Sequence, residues 1–187
     1  MPQNKNYFKI CTMKKLFVAF VFLLIPTIFY AQSAFTKFED KTDITSVIVN
    51  KKMFQLMGEM KMDPKDKEAQ QYLNMVKKLD NLKVFTTTST KNANEMKATV
   101  DSYLKANPLE ELMRINKDGQ NIKIFIKSGA SSSQVKELLM FMDGTGKSNT
   151  VLMSLTGNFD LNDISVLTDK MSLPGGPELK KAAAKKQ

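Results

Sequence analysis

Residues 109–156, LEELMRINKDGQNIKIFIKSGASSSQVKELLMFMDGTGKSNTVLMSLT, decide the fold. Four runs rich in β-branched and other apolar residues lie in this stretch, divided by turn residues. LEELMRI (109–115) and NIKIFIK (121–127) flank Asp118-Gly119. Asp-Gly is a strong hairpin signal because glycine adopts the positive φ that tight hairpin turns need. VKELLMFMD (135–143) and NTVLMSLT (149–156) flank a second turn at Gly144 and Gly146. Two hairpins in series predict a C-terminal four-stranded antiparallel meander.

Upstream, strands and helices alternate. ITSVIV (44–49) is β-branched and reads as a strand. Met53, Phe54, Met57 and Met60 then recur at helical spacing. Asp63-Pro64 is expected to end that helix and start another, Asp63 as N-cap and Pro64 in the first turn. Ala69, Tyr72, Leu73, Val76 and Leu79 give the second helix its apolar face. LKVFTTT (82–88) is a strand by its threonines and branched residues. Asn92 with Glu95 makes a capping box for a helix carrying Met96, Val100, Tyr103 and Leu104, closed by Asn107-Pro108.

Downstream, Gly157 ends the last strand, and Asp160 caps a helix in which Leu161, Ile164, Leu167 and Met171 share a face. PGGPELKKAAAKKQ (174–187) has no apolar face and predicts a mobile basic tail. The fold class is α+β: a mainly antiparallel sheet with helices packed on one face, in one domain over residues 32–173.

Residues 1–31 read as a signal peptide. Lys14 and Lys15 precede the uncharged run Leu16 to Phe29, broken by Pro26, and Ala31 supplies a small residue for cleavage. The run is shorter than the roughly 20 residues that span a bilayer, and no later stretch is long and apolar enough to do so. The expectation is therefore export to the periplasm or the extracellular space, with no transmembrane segment in the mature chain. The only cysteine, Cys11, precedes the run, so the sequence offers neither a lipid attachment point at the cut nor a mature disulfide.

The formal charge of +9 is carried mostly by the leader and by tail lysines 180, 181, 185 and 186. Arg114 is the one arginine, the side chain best suited to bidentate phosphate contacts. Composition thus gives no support to a nucleic-acid partner.

Gly144-Thr145-Gly146-Lys147-Ser148 matches the end of a phosphate-binding loop. That motif needs a glycine at position 141, where Phe141 stands, and a following helix, where a strand pattern follows. It reads as a hairpin turn with an exposed lysine, and no nucleotide is expected. Met53, Met57, Met60 and Met62 are soft ligands suited to copper(I), yet their spacing is also that of a packed helix face. Histidine is absent, which removes the usual general base and histidine metal ligands. Glu110 and Glu111 are neighbours in a strand and point to opposite faces, so they do not form a catalytic carboxylate pair.

The leader ending YAQ, the segment ITSVIVNKKMFQLM, and VKELLMFMD followed by VLMSLTGNFDLNDISVL resemble the domain of unknown function 4252 family, exported proteins of Bacteroidetes-type bacteria. That resemblance implies no activity, cofactor or catalytic residue. Some relatives look like lipoproteins, from which this chain departs by lacking a cysteine after its apolar run. The expectation is a non-enzymatic exported interaction or structural module with an unknown protein or envelope partner, and no catalytic, cofactor or metal residues are assigned. The alternatives are a histidine-free carboxylate hydrolase and methionine-based copper(I) binding.

Overall fold

The computed structural model describes residues 34–185, except 118, 132, 145–147, 172, 173 and 175. All of them but Ala34 belong to one unit, Phe35–Gln187. The expected signal peptide, residues 1–31, lies outside the described residues, as do Asp118 in the first turn and Thr145, Gly146 and Lys147 in the second.

A short 3-10 turn, Thr36–Phe38, precedes β1 (Thr45–Asn50), α1 (Lys51–Gly58), α2 (Lys67–Val76), β2 (Leu79–Thr87) and α3 (Thr90–Ala106). Then come β3 (Glu110–Lys117), β4 (Gln120–Ser128), β5 (Gln134–Asp143) and β6 (Thr150–Asp160). A 3-10 turn, Leu161–Asp163, leads to α4 (Ile164–Lys170) and α5 (Gly176–Lys185). The six strands form one sheet in the order β1-β2-β6-β5-β4-β3, antiparallel throughout. The expected meander is β3 to β6. Its first turn is tighter than the sequence suggests: Lys117 pairs with Gln120, and Gly119 takes φ +79°.

The helices cover both faces of the sheet, which corrects the expectation of one covered face. On the first face Leu82, Val84, Ile122, Ile124, Leu138, Met140, Val151 and Met153 join one core with Phe54 of α1, Leu73 and Val76 of α2, Leu167 of α4 and Leu179 of α5. The alternate residues Phe85, Phe125, Leu139, Phe141 and Leu152 are buried too, and they belong to the other face. There α3 supplies Met96, Val100 and Tyr103, and the N-terminal turn supplies Phe35 and Phe38. Phe35 lies against Tyr103 with ring centroids 5.0 Å apart, and Phe38 meets Phe85 edge-on at 5.7 Å. The physical cause is that apolar residues stand side by side in these strands, VF in β2, LLMFM in β5 and VLM in β6, so that both faces there are buried and neither is given to water. Lys83, on this second face, is buried and answered by Glu39 at 2.8 Å, which pins the N-terminal turn to the sheet.

Local boundaries differ where two residues compete for one role. Asp66, and not Asp63, caps α2 by accepting from Ala69 N, while Asp63 accepts from Lys65 N in the turn before it. Ser89, and not Asn92, caps α3, and Asn92 is buried one turn in. β2 begins at Leu79 because α2 ends at Val76. Gly157 does not end β6. A side chain there would bring its Cβ within 2.4 Å of the Lys78 carbonyl, which accepts from Asn158 N, so glycine admits the neighbouring backbone. The segment expected to be a mobile tail is helical over Gly176–Lys185, and Leu179, which lies fully buried in the first core, is what docks it.

Candidate functional site

Half of an outer strand's backbone N–H and C=O groups point away from the sheet, so the identity of the outer strands decides what the fold offers to a partner. The two rims here are opposite in character. β3 carries Glu110, Glu111 and Arg114 and a register irregularity after Glu111, the devices by which edge strands resist pairing. Arg114 grips Glu111 through two hydrogen bonds, at 2.9 and 2.7 Å, and this holds the Glu111 carboxyl below its ordinary range. β1, TSVIVN, has no charged residue, no proline and an unbroken register against β2. Among the described residues nothing pairs with its outer side.

Asn50 ends β1 and caps α1 by accepting from Met53 N at 3.0 Å, so strand and helix follow without a loop. α1 packs on β1, β2 and α2. Phe54 is its buried residue, and Gly58 abuts the Lys77 side chain at the end of α2. Met53 and Leu56 stand about 140° and 160° from Gly58 around the helix, on the side turned away from α2. Val47, Ile48, Met53, Leu56 and Met60 are all exposed, at 47%, 43%, 50%, 49% and 55%. Large apolar side chains that cluster in the open mark interaction surfaces far better than scattered ones.

The methionines weighed as a copper(I) set are divided by this geometry. Met57 and Met62 are part-buried against the core, whereas Met53 and Met60 face outward. Packing therefore explains two of the four, and the outward pair is open to solvent.

A cleft of about 190 Å³ lies on the second face, between α3 and strands β4 and β5. Phe125 and Phe141 line it, with Lys97, Asp101, Lys123 and Asp143. Lys97 Nζ is 3.0 Å from Asp143 Oδ2, which neutralises one of its two carboxylates. Deeper on the same face, the Tyr103 hydroxyl donates to Glu137 Oε1 at 2.6 Å. Burial pushes the Glu137 carboxyl up, while the Tyr103 bond and Lys127 draw it down. Burial and the Glu137 carboxylate push the Tyr103 hydroxyl up as well.

The remaining sequence candidates sit apart from these features. Glu110 pairs with Ile126 and Glu111 with Phe125, residues of opposite faces, as strand alternation requires. Gly144 and Ser148 close the β5–β6 hairpin: Gly144 N donates to Thr150 Oγ1, and Ser148 N to the Gly144 carbonyl. A strand follows this turn, with no helix N-terminus to face a phosphate. Among the described residues no helix is long and apolar enough to cross a membrane.

These observations define an antiparallel α+β domain with one guarded and one unguarded sheet edge. The chain belongs to the family described as Domain of unknown function (DUF4252), whose model matches residues 38–167. The matched region runs from Phe38 to Leu167 and so takes in β1, α1 and all six strands, while Phe35 and Leu179 of the two cores lie outside it. No curated protein and no solved structure matches the chain.

Proposed function

We propose that the protein is a non-enzymatic, exported interaction module that engages its partner through the rim formed by β1 and α1. The observation that carries this reading is an edge strand with no charge to repel a partner, exposed at Val47 on the face that α1 covers and at Ile48 on the other, followed by α1 with Met53 and Leu56 in the open. Export rests on the leader pattern of residues 1–31, and mass spectrometry of the mature N-terminus in the native host tests it. The composition supports a role without chemistry of its own: no histidine, and a lone cysteine within the expected leader.

The test is crosslinking in the intact cell envelope with wild type and with an Ile48→Lys/Leu56→Glu variant. Crosslinked species present with wild type and lost with the variant are expected. Identical crosslinking from both would refute the rim as the working surface.

The cleft favours a second reading, in which Asp101 and Asp143 act on a small substrate. Glycosidase turnover abolished by Asp101→Asn would establish that reading in place of the first. No turnover is expected, because the Lys97 pairing commits Asp143.

A further inference from the structure

The cleft between α3 and strands β4 and β5 carries two opposite charges that the fold leaves apart. We propose that it binds a small zwitterion with an apolar side chain, the chemistry of a free amino acid: its carboxylate meets Lys123, its ammonium meets Asp101, and its side chain lies on Phe125 and Phe141. This site is separate from the β1 rim and does not depend on it.

The sequence sets these groups on two facing walls. From Lys97, the residues Val100, Asp101 and Leu104 follow at helical spacing, which puts them on one side of α3. Across the gap, Lys123 lies opposite Phe141 and Asn121 opposite Asp143, so these side chains share the second face of the sheet with Phe125. Two contacts fix the helix over the strand: Lys97 Nζ to Asp143 Oδ2 at 3.0 Å, and the Tyr103 hydroxyl to Glu137 Oε1 at 2.6 Å. Asp101 falls between the two anchors on α3, and Phe141, with Lys123 opposite it, falls between the two on β5. Acid and ammonium are thereby brought to the same stretch of the cleft from opposite walls.

Their neighbours are already engaged. Asp143 pairs with Lys97, and Glu111, which feels the charge of Lys123, is gripped by Arg114 through two hydrogen bonds. Among the described residues neither Asp101 nor Lys123 enters an ion pair, although both line the same cleft. Opposite charges that face each other without meeting are best bridged by a ligand that brings both signs.

Charge balance adds selectivity. Lys97, Asp101, Lys123 and Asp143 sum to zero, so a simple anion drawn to Lys123 meets Asp101 as well, and a simple cation drawn to Asp101 meets Lys123. Val100, Leu104, Phe125 and Phe141 supply the apolar lining that a purely polar ligand would leave unused. The volume of about 190 Å³ is below the roughly 300–1,000 Å³ of sites for drug-sized ligands, which restricts the occupant to one small molecule.

The test titrates the chain, expressed with its leader so that the host's processing acts, with L-phenylalanine while amide chemical shifts are followed. Saturable shifts in α3, β4 and β5 around the cleft are expected, with β1 unmoved. Hydrocinnamate keeps the ring and the carboxylate, phenethylamine keeps the ring and the ammonium, and each is expected to bind about tenfold more weakly for want of one charge-assisted contact. Asp101→Asn and Lys123→Gln should each weaken phenylalanine by about tenfold, with an unchanged melting curve as the check that they fold. Asp101→Asn should not weaken hydrocinnamate, which has no ammonium to lose. Absence of saturable shifts with phenylalanine, equal binding of either single-charge analogue, or indifference to both substitutions would each overturn the proposal. A neutral hexose that binds at these residues where phenylalanine does not would overturn it in favour of a saccharide site.

Discussion

The Tyr103 hydroxyl donates to the Glu137 carboxyl across 2.6 Å, and this bond joins α3 to β5 inside the second core. Glu137 is only 6% exposed, so it has little water to turn to if the donor is lost. The tyrosine explains why a carboxyl is tolerated in this core: it brings both the apolar ring that packs on Phe35 and the polar tip that answers the acid.

Tyr103→Phe removes that tip and keeps the ring. The buried carboxyl is then left without its hydrogen bond, a change that costs about 1–3 kcal/mol. Urea unfolding near neutral pH is expected to show a loss of that order. No loss would mean that the bond adds nothing to the fold.

Glu137→Gln tests the direction of the proton linkage. Burial raises the Glu137 carboxyl in the fold, so the native state holds a proton that the unfolded chain releases near the ordinary value of about 4.3. Stability contributed by that proton is full below the unfolded value and is lost as pH rises through the raised one. The advantage of the glutamine variant over wild type should therefore grow with pH from about 4 upward and then level off. Paired urea titrations would measure it. A difference that falls with pH would reverse the assignment.

Leu179→Ala addresses the C-terminal helix. Leu179 is fully buried among residues that include Leu161 and Leu167, so the substitution should cost about 2–5 kcal/mol by lost burial and a cavity. A tail that stayed in water would give no effect at all in thermal or urea unfolding.

The methionines are expected to separate by environment. Met57→Leu, in the part-buried position, should shift stability by less than about 1.5 kcal/mol in either direction. Met53→Leu and Met60→Leu, both outward, should stay within about 0.5 kcal/mol. Copper(I) titration of wild type and the triple variant should give matching curves. Stoichiometric binding lost in the triple variant would restore the metal reading.

The meander was legible in the sequence because each of its signals is local: a hairpin declares itself by two adjacent turn residues and the runs beside them. The second covered face had a local signal as well, the unbroken LLMFM of β5, which alternation with water-facing residues would have interrupted. Cap positions were harder to read because Asp63 and Asp66 are chemically equal, and the choice depends on where Ala69 and Tyr72 must land to reach the core. The rim was illegible. ITSVIV has the composition of a buried strand, and only the long-range pairing of β2 with β6 leaves β1 on the outside. The bond between Tyr103 and Glu137 was equally hidden, since it joins a helix to a strand with a hairpin between them.

One rim of the sheet is neutral and apolar, and the other is charged and irregular. A building block with a single adhesive side joins once and then has none left to offer. With a strand docked on β1, the edge that this sheet itself still offers is β3, with Glu110, Glu111 and Arg114 along it. Strand addition at that far rim is opposed by its charges and by the irregularity after Glu111, so the sheet is guarded on that side against running on into a fibre.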